Sequence, residues 1–362
     1  MTITIDCRWI DSSGIGVYLR ECLPFFLDSD NSFFLLGNSE KLFPVITGRK
    51  NVNILNCCLK PFSFRELFAF PRSLLKKINS STLYYSPYFN IPGGIKIPVY
   101  TTIHDIIFPD MPELTSRPGL TARMWFYRRA FRHSKKIFTV SEFSKSRIIH
   151  YSKNKVLVIV THSAIQPHLL KAKLTAGASA KKNIILFIGN IKKHKGLSIL
   201  LEAFLQARKE GLDYALVIVG SRENFRSSDA GFLLTSEDSV LFTGFLSDKE
   251  LTEYLSSAAL LVQPSLYEGF CLPPLEALVS GTAALISDIP VLKEIYTEYP
   301  EQELGEGFPV HWFKAGNVKD LKEKLLLLLL DKKPEQIKLA PQYAELYTFK
   351  KTSSVILKEL KS

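Results

Sequence analysis

Twice along its 362 residues the chain runs through the same alternation of short apolar runs and amphipathic stretches. In the first half the apolar runs are Thr2–Ile5, Phe33–Leu36, Leu83–Tyr85, Val99–Ile103, Lys136–Val140 and Val156–Val160. Val17–Leu27, Arg65–Ile78 and Leu120–His133 lie between them with helical spacing. In the second half Asn183–Ile188, Tyr214–Val219, Val240–Thr243, Ala259–Val262 and Ala283–Ser287 alternate with the helical patterns Gly196–Glu210 and Asp248–Ala258. Runs this short and this apolar fit strands buried on both faces of a parallel sheet. Strands alternating with helices imply right-handed βαβ units. The stretch from His168 to Lys182, rich in Lys, Ala and Gly, separates the two series and reads as a linker. The expected architecture is α/β: two Rossmann-like domains, residues 1–170 and 180–340, facing each other across a cleft, followed by a helical tail over 341–362.

Composition narrows the class. A hydrophobic share of 46% and a charged share of 22% are ordinary for a globular chain. No apolar stretch approaches the roughly 20 residues that span a bilayer, and the leucine run Leu325–Leu330 reads as a buried helix face. The opening Met1–Asp6 reads as a strand rather than a secretion leader. Five cysteines, Cys7, Cys22, Cys57, Cys58 and Cys271, lack zinc-ligand spacing and fit free thiols in a reducing compartment. The expected location is cytoplasmic. The net charge of +11 is uneven: residues 1–175 hold 24 Lys+Arg against 11 Asp+Glu, and residues 176–362 hold 22 against 24. The first half is therefore expected to face something anionic, such as phosphate-bearing lipid, a membrane surface or nucleic acid.

The most specific string is Glu268-Gly269-Phe270-Cys271-Leu272-Pro273-Pro274-Leu275-Glu276. An apolar run ending at Pro264 precedes it, and a short helix, Leu275 to Gly281, follows. The unit reads as strand, loop, helix, with Glu268 in the loop and Glu276 about two turns into the helix. In open α/β sheets ligands bind outside the carboxyl ends of the strands, and amides at a helix start attract phosphate. Two acids beside such a site suit a sugar-nucleotide, since carboxylates accept from hydroxyls while amides donate to phosphate. Gly189-Asn190-Ile191-Lys192-Lys193-His194-Lys195-Gly196 also follows a strand and opens a helix. Glycine turn, lysine and helix start form a second phosphate-binding arrangement.

These two strings resemble retaining glycosyltransferases of the GT-B fold, family 4, whose signature is the pair of glutamates eight residues apart. The resemblance runs from Asp6 to about Leu292. It implies that Lys195 contacts the donor diphosphate. Many members carry arginine directly after the first glycine, where this chain has Asn190; either Lys192 or Lys193 supplies that charge or the diphosphate is held less tightly. Asp6-Cys7-Arg8 through Gly14-Ile15-Gly16-Val17-Tyr18 is similar to the first loop of bacterial mannosyltransferases, where glycines let the backbone approach donor phosphate or acceptor. His104, in Thr102-Ile103-His104-Asp105, matches a histidine that touches the transferred sugar. Ser141 reads as a helix N-cap. Val219-Gly220-Ser221 and Thr243-Gly244-Phe245-Leu246-Ser247 correspond to loops that shape the base pocket, and Phe245 is also compatible with core.

The resemblance implies a metal-independent, retaining transfer of a hexose, mannose first, from a nucleotide-sugar (GDP-mannose first) to a glycan or polyprenyl-diphosphate-linked acceptor in bacterial surface-polysaccharide synthesis. His104, Glu268 and Lys195 would be catalytic. Gly14, Gly16, Gly189, Asn190, Lys195, Gly220, Phe245, Leu246, Glu268, Gly269, Phe270, Cys271, Leu272 and Glu276 would hold the donor. No cofactor is implied. The first domain would take the acceptor, the second the nucleotide-sugar, and the tail would cross back onto the first. Leu120–Lys136 mixes aromatics with bases, as either an ordinary core face with a solvated basic side or a contact with anionic membrane. The expected location therefore extends to the inner face of the cell membrane. Two other classes stay open: an inactive binding protein of the same fold, and a basic nucleic-acid binder. The second would explain the first half's charge but not the donor-type loops, and no reader motif is present.

Overall fold

The computed structural model describes residues 1–170, 180–220, 238–297, 310–330 and 341–362; residues 171–179 of the linker reading and Ser221 lie outside them. The chain divides into two compact units, Met1–Ala164 with Tyr347–Ser362, and Ile165–Leu346.

In the first unit β1 (Thr2–Asp6), β2 (Ser32–Gly37), β3 (Val52–Asn56), β4 (Leu83–Ser86), β5 (Val99–Thr102), β6 (Ser134–Thr139) and β7 (Leu157–Val160) pair in the order β3-β2-β1-β4-β5-β6-β7. Every pairing is parallel. Strand order thus reverses between β1 and β4. β3 was not expected from the sequence. As an edge strand it keeps Asn53 and Asn56 exposed, so it lacks the continuous apolar run of its neighbours. The single helix expected over Arg65–Ile78 is two, Phe64–Phe68 and Arg72–Ile78. Pro71 separates them: it has no N–H to donate, and its ring holds the preceding residue out of the helical region.

The tail likewise divides. Pro341–Leu346 belongs to the second unit, and the helix that joins the first begins at Phe349. Phe349, Ile356 and Leu360 enter the same core as Leu19, Cys22, Leu23 and Phe26 of the Ser13–Leu27 helix. Lys136 Nζ, reaching across from β6, donates to Glu359 Oε2 at 2.8 Å.

The second unit repeats the plan. β8 (Lys182–Ile188), β9 (Ala215–Val219), β10 (Val240–Gly244), β11 (Ala258–Gln263), β12 (Ala283–Ser287) and β13 (Val310–Phe313) pair in the order β10-β9-β8-β11-β12-β13, again all parallel. Every residue of β11 is buried, which explains its apolar run from Ala258 to Val262; the closing Gln263 is buried as well. The reversal falls between β8 and β11. In the helix Val318–Leu329, Leu321, Leu325 and Leu329 recur at every fourth residue and pack on the Leu197–Lys209 helix side of the sheet. The leucine run therefore supplies that core face, with Leu327 left outside at 45% exposure.

An ionic cluster lies inside the first unit, at its strand-order reversal. Arg8 extends from the end of β1 and its guanidinium donates to both oxygens of Asp6, at 2.9 and 2.5 Å, and to Glu66 Oε1 at 2.6 Å. Tyr84 Oη donates to Asp6 at 2.7 Å. Asn90 Nδ2 donates to Asp6 at 2.9 Å and to Glu66 at 3.1 Å, and its carbonyl accepts from Trp9 Nε1 at 2.6 Å. All three charged side chains are almost wholly shielded from water. Desolvating charge is costly, and breaking such a pair by truncating one member costs about 3–5 kcal/mol because the other charge is stranded. Arg8→Ala is therefore expected to destabilise the first unit by about that amount, read as a lowered midpoint of its transition in urea.

Candidate active site

At the carboxyl edge of the second sheet, two loops meet because one residue lacks a side chain. Gly196 sits between β8 and the Leu197–Lys209 helix at φ 68°, and a Cβ there would stand 2.0 Å from the Pro264 carbonyl oxygen. Only glycine suits both the conformation and the space. The crossing is locked by Leu266 N–H donating to the His194 carbonyl at 2.7 Å. It brings Lys195, from the loop after β8, onto Glu268, from the loop after β11: Nζ donates to the two carboxylate oxygens at 2.7 and 2.8 Å. Ser265 Oγ donates to the same carboxylate at 2.6 Å, itself accepting from Gln263 Nε2 at 3.0 Å. The pair thus stands where strand order reverses, the usual place for a ligand crevice in such sheets. Beside it the strand-end glycines interlock. Gly189 N–H donates to the Val219 carbonyl and Gly220 N–H to Gly244, and a Cβ on Gly220 would stand 2.2 Å from the Gly189 carbonyl oxygen. Asn190 is half-buried, Lys192 and Lys193 are exposed, Phe245 is 79% exposed and Leu246 half-buried. Phe245 is accordingly not core.

The helix after Glu268 starts at Leu272, three residues earlier than expected, so Glu276 is its fifth residue, one turn in rather than two. Pro273 and Pro274 fall in its first turn, where a missing N–H removes no helical bond. Neither proline contributes an N–H, so the start of that helix offers fewer amide donors than a first turn without proline. Cys271 precedes the helix at φ 74°, a left-handed conformation that costs a side-chain-bearing residue about 1 kcal/mol or more. Its carbonyl accepts from Tyr296 Oη at 2.8 Å, which helps hold the bend. Cys271 is buried, and desolvation pushes its thiol well above the ordinary range, so it is a poor nucleophile.

Burial acts on both glutamates with opposite results. Around Glu268, burial pushes its pKa up, but the Lys195 ammonium and the Ser265 hydroxyl outweigh it and hold the carboxyl below its ordinary value. Glu268 is therefore ionised at neutral pH. Around Glu276 burial has no such counterweight and raises the value to about 7. His194, pushed down to about 4 by burial and then by Lys195, is neutral.

The remaining expected residues lie in the first unit. His104 follows β5, half-buried, with its ring edge-on to Tyr18 at 4.9 Å. Its Nε2 lies 3.0 Å from the Pro87 carbonyl. A carbonyl only accepts, so Nε2 carries the proton and Nδ1 is the acceptor. Burial lowers its pKa to about 4, so the ring is neutral. Gly14 and Gly16 are inside the Ser13–Leu27 helix, not in a loop before it, and neither has positive φ. Gly16 is needed for a close approach, since a Cβ would stand 2.5 Å from the Ile10 carbonyl oxygen, whereas Gly14 faces open space. Ser141 accepts from Ser144 N–H as a helix cap.

Residues 173–343 match the glycosyl transferases group 1 family. The chain is 28% identical over 231 residues to the O-antigen chain mannosyltransferase B of Escherichia coli, covering 59% of this chain and 58% of that one. It is 31% identical over 153 residues, 42% of this chain and 37% of the relative, to the N,N'-diacetylbacillosaminyl-diphospho-undecaprenol alpha-1,3-N-acetylgalactosaminyltransferase of Campylobacter jejuni. The chain spans about half the length of the curated relatives it matches first. The structure of Anabaena HepE in complex with UDP and glucose superposes with a TM-score of 0.70 at 15% identity, over 100% of this chain and 99% of that one. At that identity the likeness shows the fold, which is GT-B: two Rossmann-like α/β units. The group 1 match contains the Lys195–Glu268 pair and Glu276 and excludes His104, Gly14 and Gly16.

Sequence reasoning missed the supports of these residues. Ser265, three residues before Glu268, carried a usable signal, a hydroxyl at the end of a strand. Tyr296, 25 residues after Cys271, carried none. Nor was the Asp6–Arg8–Glu66–Asn90 cluster foreseen, although Asp6 and Arg8 lie in a string that marked the resemblance.

The two glutamates should be separable by pH. Glu276 takes its folded value of about 7 from an ordinary 4.5, so the folded state holds its proton more tightly than the unfolded one. Its burden on stability is absent below 4.5, grows as pH rises, and is complete above about 7, where it reaches up to about 3 kcal/mol. Glu276→Gln is expected to melt increasingly above wild type across that window and to match it in acid, by thermal melts at a series of pH values. A pH-independent gap would contradict the assignment.

Proposed function

We propose that the chain is a retaining hexosyltransferase. It moves a hexose, mannose first, from a nucleotide-sugar, GDP-mannose first, to a glycan carried on polyprenyl diphosphate, at the inner face of the cell membrane. The observation that carries this reading is the ionised Glu268 held by Lys195 at the strand-order reversal, inside the segment that matches glycosyl transferases group 1. The mannosyltransferase relative supports the sugar, and the relative named for a diphospho-undecaprenol substrate supports the lipid-linked acceptor.

In this reading Glu276 accepts from the donor's ribose hydroxyls and Glu268 from the transferred sugar. Lys195 neutralises the charge that develops on the departing diphosphate. Departure leaves an oxocarbenium-like carbon, and the acceptor hydroxyl attacks on the same face. The leaving phosphate oxygen takes the acceptor's proton, so no carboxylate nucleophile is required. His104, neutral and with Nδ1 as acceptor, positions the sugar rather than removing the proton. The reaction needs no metal.

Glu276→Ala is expected to weaken donor binding by about 1.5–3 kcal/mol, the scale of a hydrogen bond to a charged group, measured by titrating nucleotide-sugars against the thermal melt. Glu268→Ala should lower turnover more than affinity. Equal, small effects from both would overturn the assignment of roles.

Removing an oriented electrostatic partner costs about 2.7–4 kcal/mol of transition-state stabilisation, so Lys195→Ala should slow transfer roughly a hundredfold or more. His104→Ala should slow transfer with donor affinity nearly intact. NMR of the product should show the donor's anomeric configuration, with activity preserved in EDTA. An inverted product, a trapped glycosyl-enzyme or metal-dependent activity would each refute part of this mechanism.

A further inference from the structure

The short helix Phe64–Phe68 turns two phenylalanines into solvent. Phe64 is 74% and Phe68 69% exposed, and their rings lie against each other at 4.7 Å. Large exposed apolar groups that gather in one place mark interaction sites. This helix is also fastened. Ser63 Oγ caps it by accepting from Glu66 N–H, while the Glu66 carboxylate is buried and accepts from Arg8, Asn90 Nδ2 and Phe62 N–H. Gly93 N–H donates to the Glu66 carbonyl at 2.9 Å. The ionic cluster of the first unit therefore holds the base of the helix, so the two rings cannot fold back into the core.

The segment that carries them is basic. Lys60, Arg65, Arg72, Lys76 and Lys77 are all exposed, and the only acid between residues 60 and 82 is Glu66, which is buried on Arg8. A chain of ring contacts that includes Phe62, two residues before Phe64, leads to His104. Trp125, 46% exposed, meets Phe126 at 5.0 Å, Phe126 meets Phe62 at 4.6 Å, Phe62 meets Tyr88 at 5.7 Å, and Tyr88 meets His104 at 6.4 Å.

We infer that the segment from Phe64 to Lys77, with the paired rings of Phe64 and Phe68 and the exposed Arg65, Arg72, Lys76 and Lys77, docks the first unit onto an anionic lipid bilayer. Aromatic side chains enter the boundary between headgroups and acyl chains, and cations lie among the headgroups above them. Several exposed cations in a segment with no exposed acid suit a fluid surface bearing many negative charges. The inference deepens the proposed reading and rests on it for its purpose, delivery of a lipid-linked acceptor to the His104 side. It also moves the expected membrane contact from Leu120–Lys136 to the segment from Phe64 to Lys77.

The full chain is sedimented with vesicles of phosphatidylcholine alone and of phosphatidylcholine with one third phosphatidylglycerol, at low and high salt. Binding is expected to the anionic vesicles only and to weaken with salt. Phe64→Ser with Phe68→Ser should lower the partition coefficient at least about tenfold. Lys76→Ser with Lys77→Ser should lower it about 25-fold, fivefold for each cation. Both variants should keep the wild-type melting temperature and donor-induced melt shift. The inference is overturned if these variants bind as wild type, if Arg128→Ser with Arg132→Ser removes binding in their place, or if neither vesicle binds, which would assign the face to a protein partner. A donor shift without vesicle binding would sink the docking face and leave the transferase reading standing; vesicle binding without a donor shift would do the reverse.

Discussion

The candidate site depends on a single backbone crossing. Parallel strands deliver all their following loops to one edge, and the reversal between β8 and β11 sets two of those loops side by side. They close on each other only because Gly196 has no side chain to meet the Pro264 carbonyl. From that approach follow the Leu266–His194 hydrogen bond, the reach of Lys195 to Glu268 and the neutral state of His194 beside them. A larger residue at 196 would separate the loops, and the pair would lose its partner without any change to either charged residue.

Within that frame the same force yields two different acids. Burial disfavours charge on both glutamates, and only Glu268 has a cation and a hydroxyl to offset it. One motif therefore presents an ionised carboxylate beside an ammonium and, one helical turn into the next element, a carboxyl poised between its two states near neutral pH. Environments that push two acids apart are a common way of dividing roles between them. In the proposed transfer the division is natural: a fixed charge where the sugar reacts, and an acceptor for hydroxyl donors where the nucleotide is held.

Much of this was legible in the sequence, for a physical reason. Buried parallel strands such as β11 are apolar at nearly every position, so they announce themselves. The edge strand β3 and the break at Pro71 were less clear, because one is half in water and the other interrupts a pattern that is apolar on both sides. Spacing marked Lys195 and Glu268 individually. It could not show that they bind each other, since 73 residues separate them and the crossing that joins them is tertiary. Gly14 and Gly16 show the opposite error: glycines suggested a loop, whereas Gly16 serves close packing within a helix. Arg8 and Glu66, 58 residues apart, belong to the same class as Lys195 and Glu268.

The two units meet one problem at their strand-order reversals by different means. A reversal opens a gap between neighbouring loops, and something must fix the loops that border it. In the second unit a glycine lets backbone touch backbone, and the ion pair is left partly accessible, with Lys195 20% exposed. In the first unit a guanidinium and two carboxylates fill the gap, with Asn90, Tyr84 and Trp9 satisfying the remaining donors and acceptors. Replacing such a cluster by apolar side chains is often neutral or stabilising elsewhere, so burial of charge is not explained by stability alone. What it supplies here is direction. The guanidinium's donors reach Asp6 and Glu66 and also, at 3.4 Å, the Leu59 carbonyl, while Asn90 joins both acids to the loop after β4. Apolar contacts would allow those segments to slide, whereas directional bonds hold one arrangement, and the exposed helix from Phe64 to Phe68 inherits its fixed orientation from them.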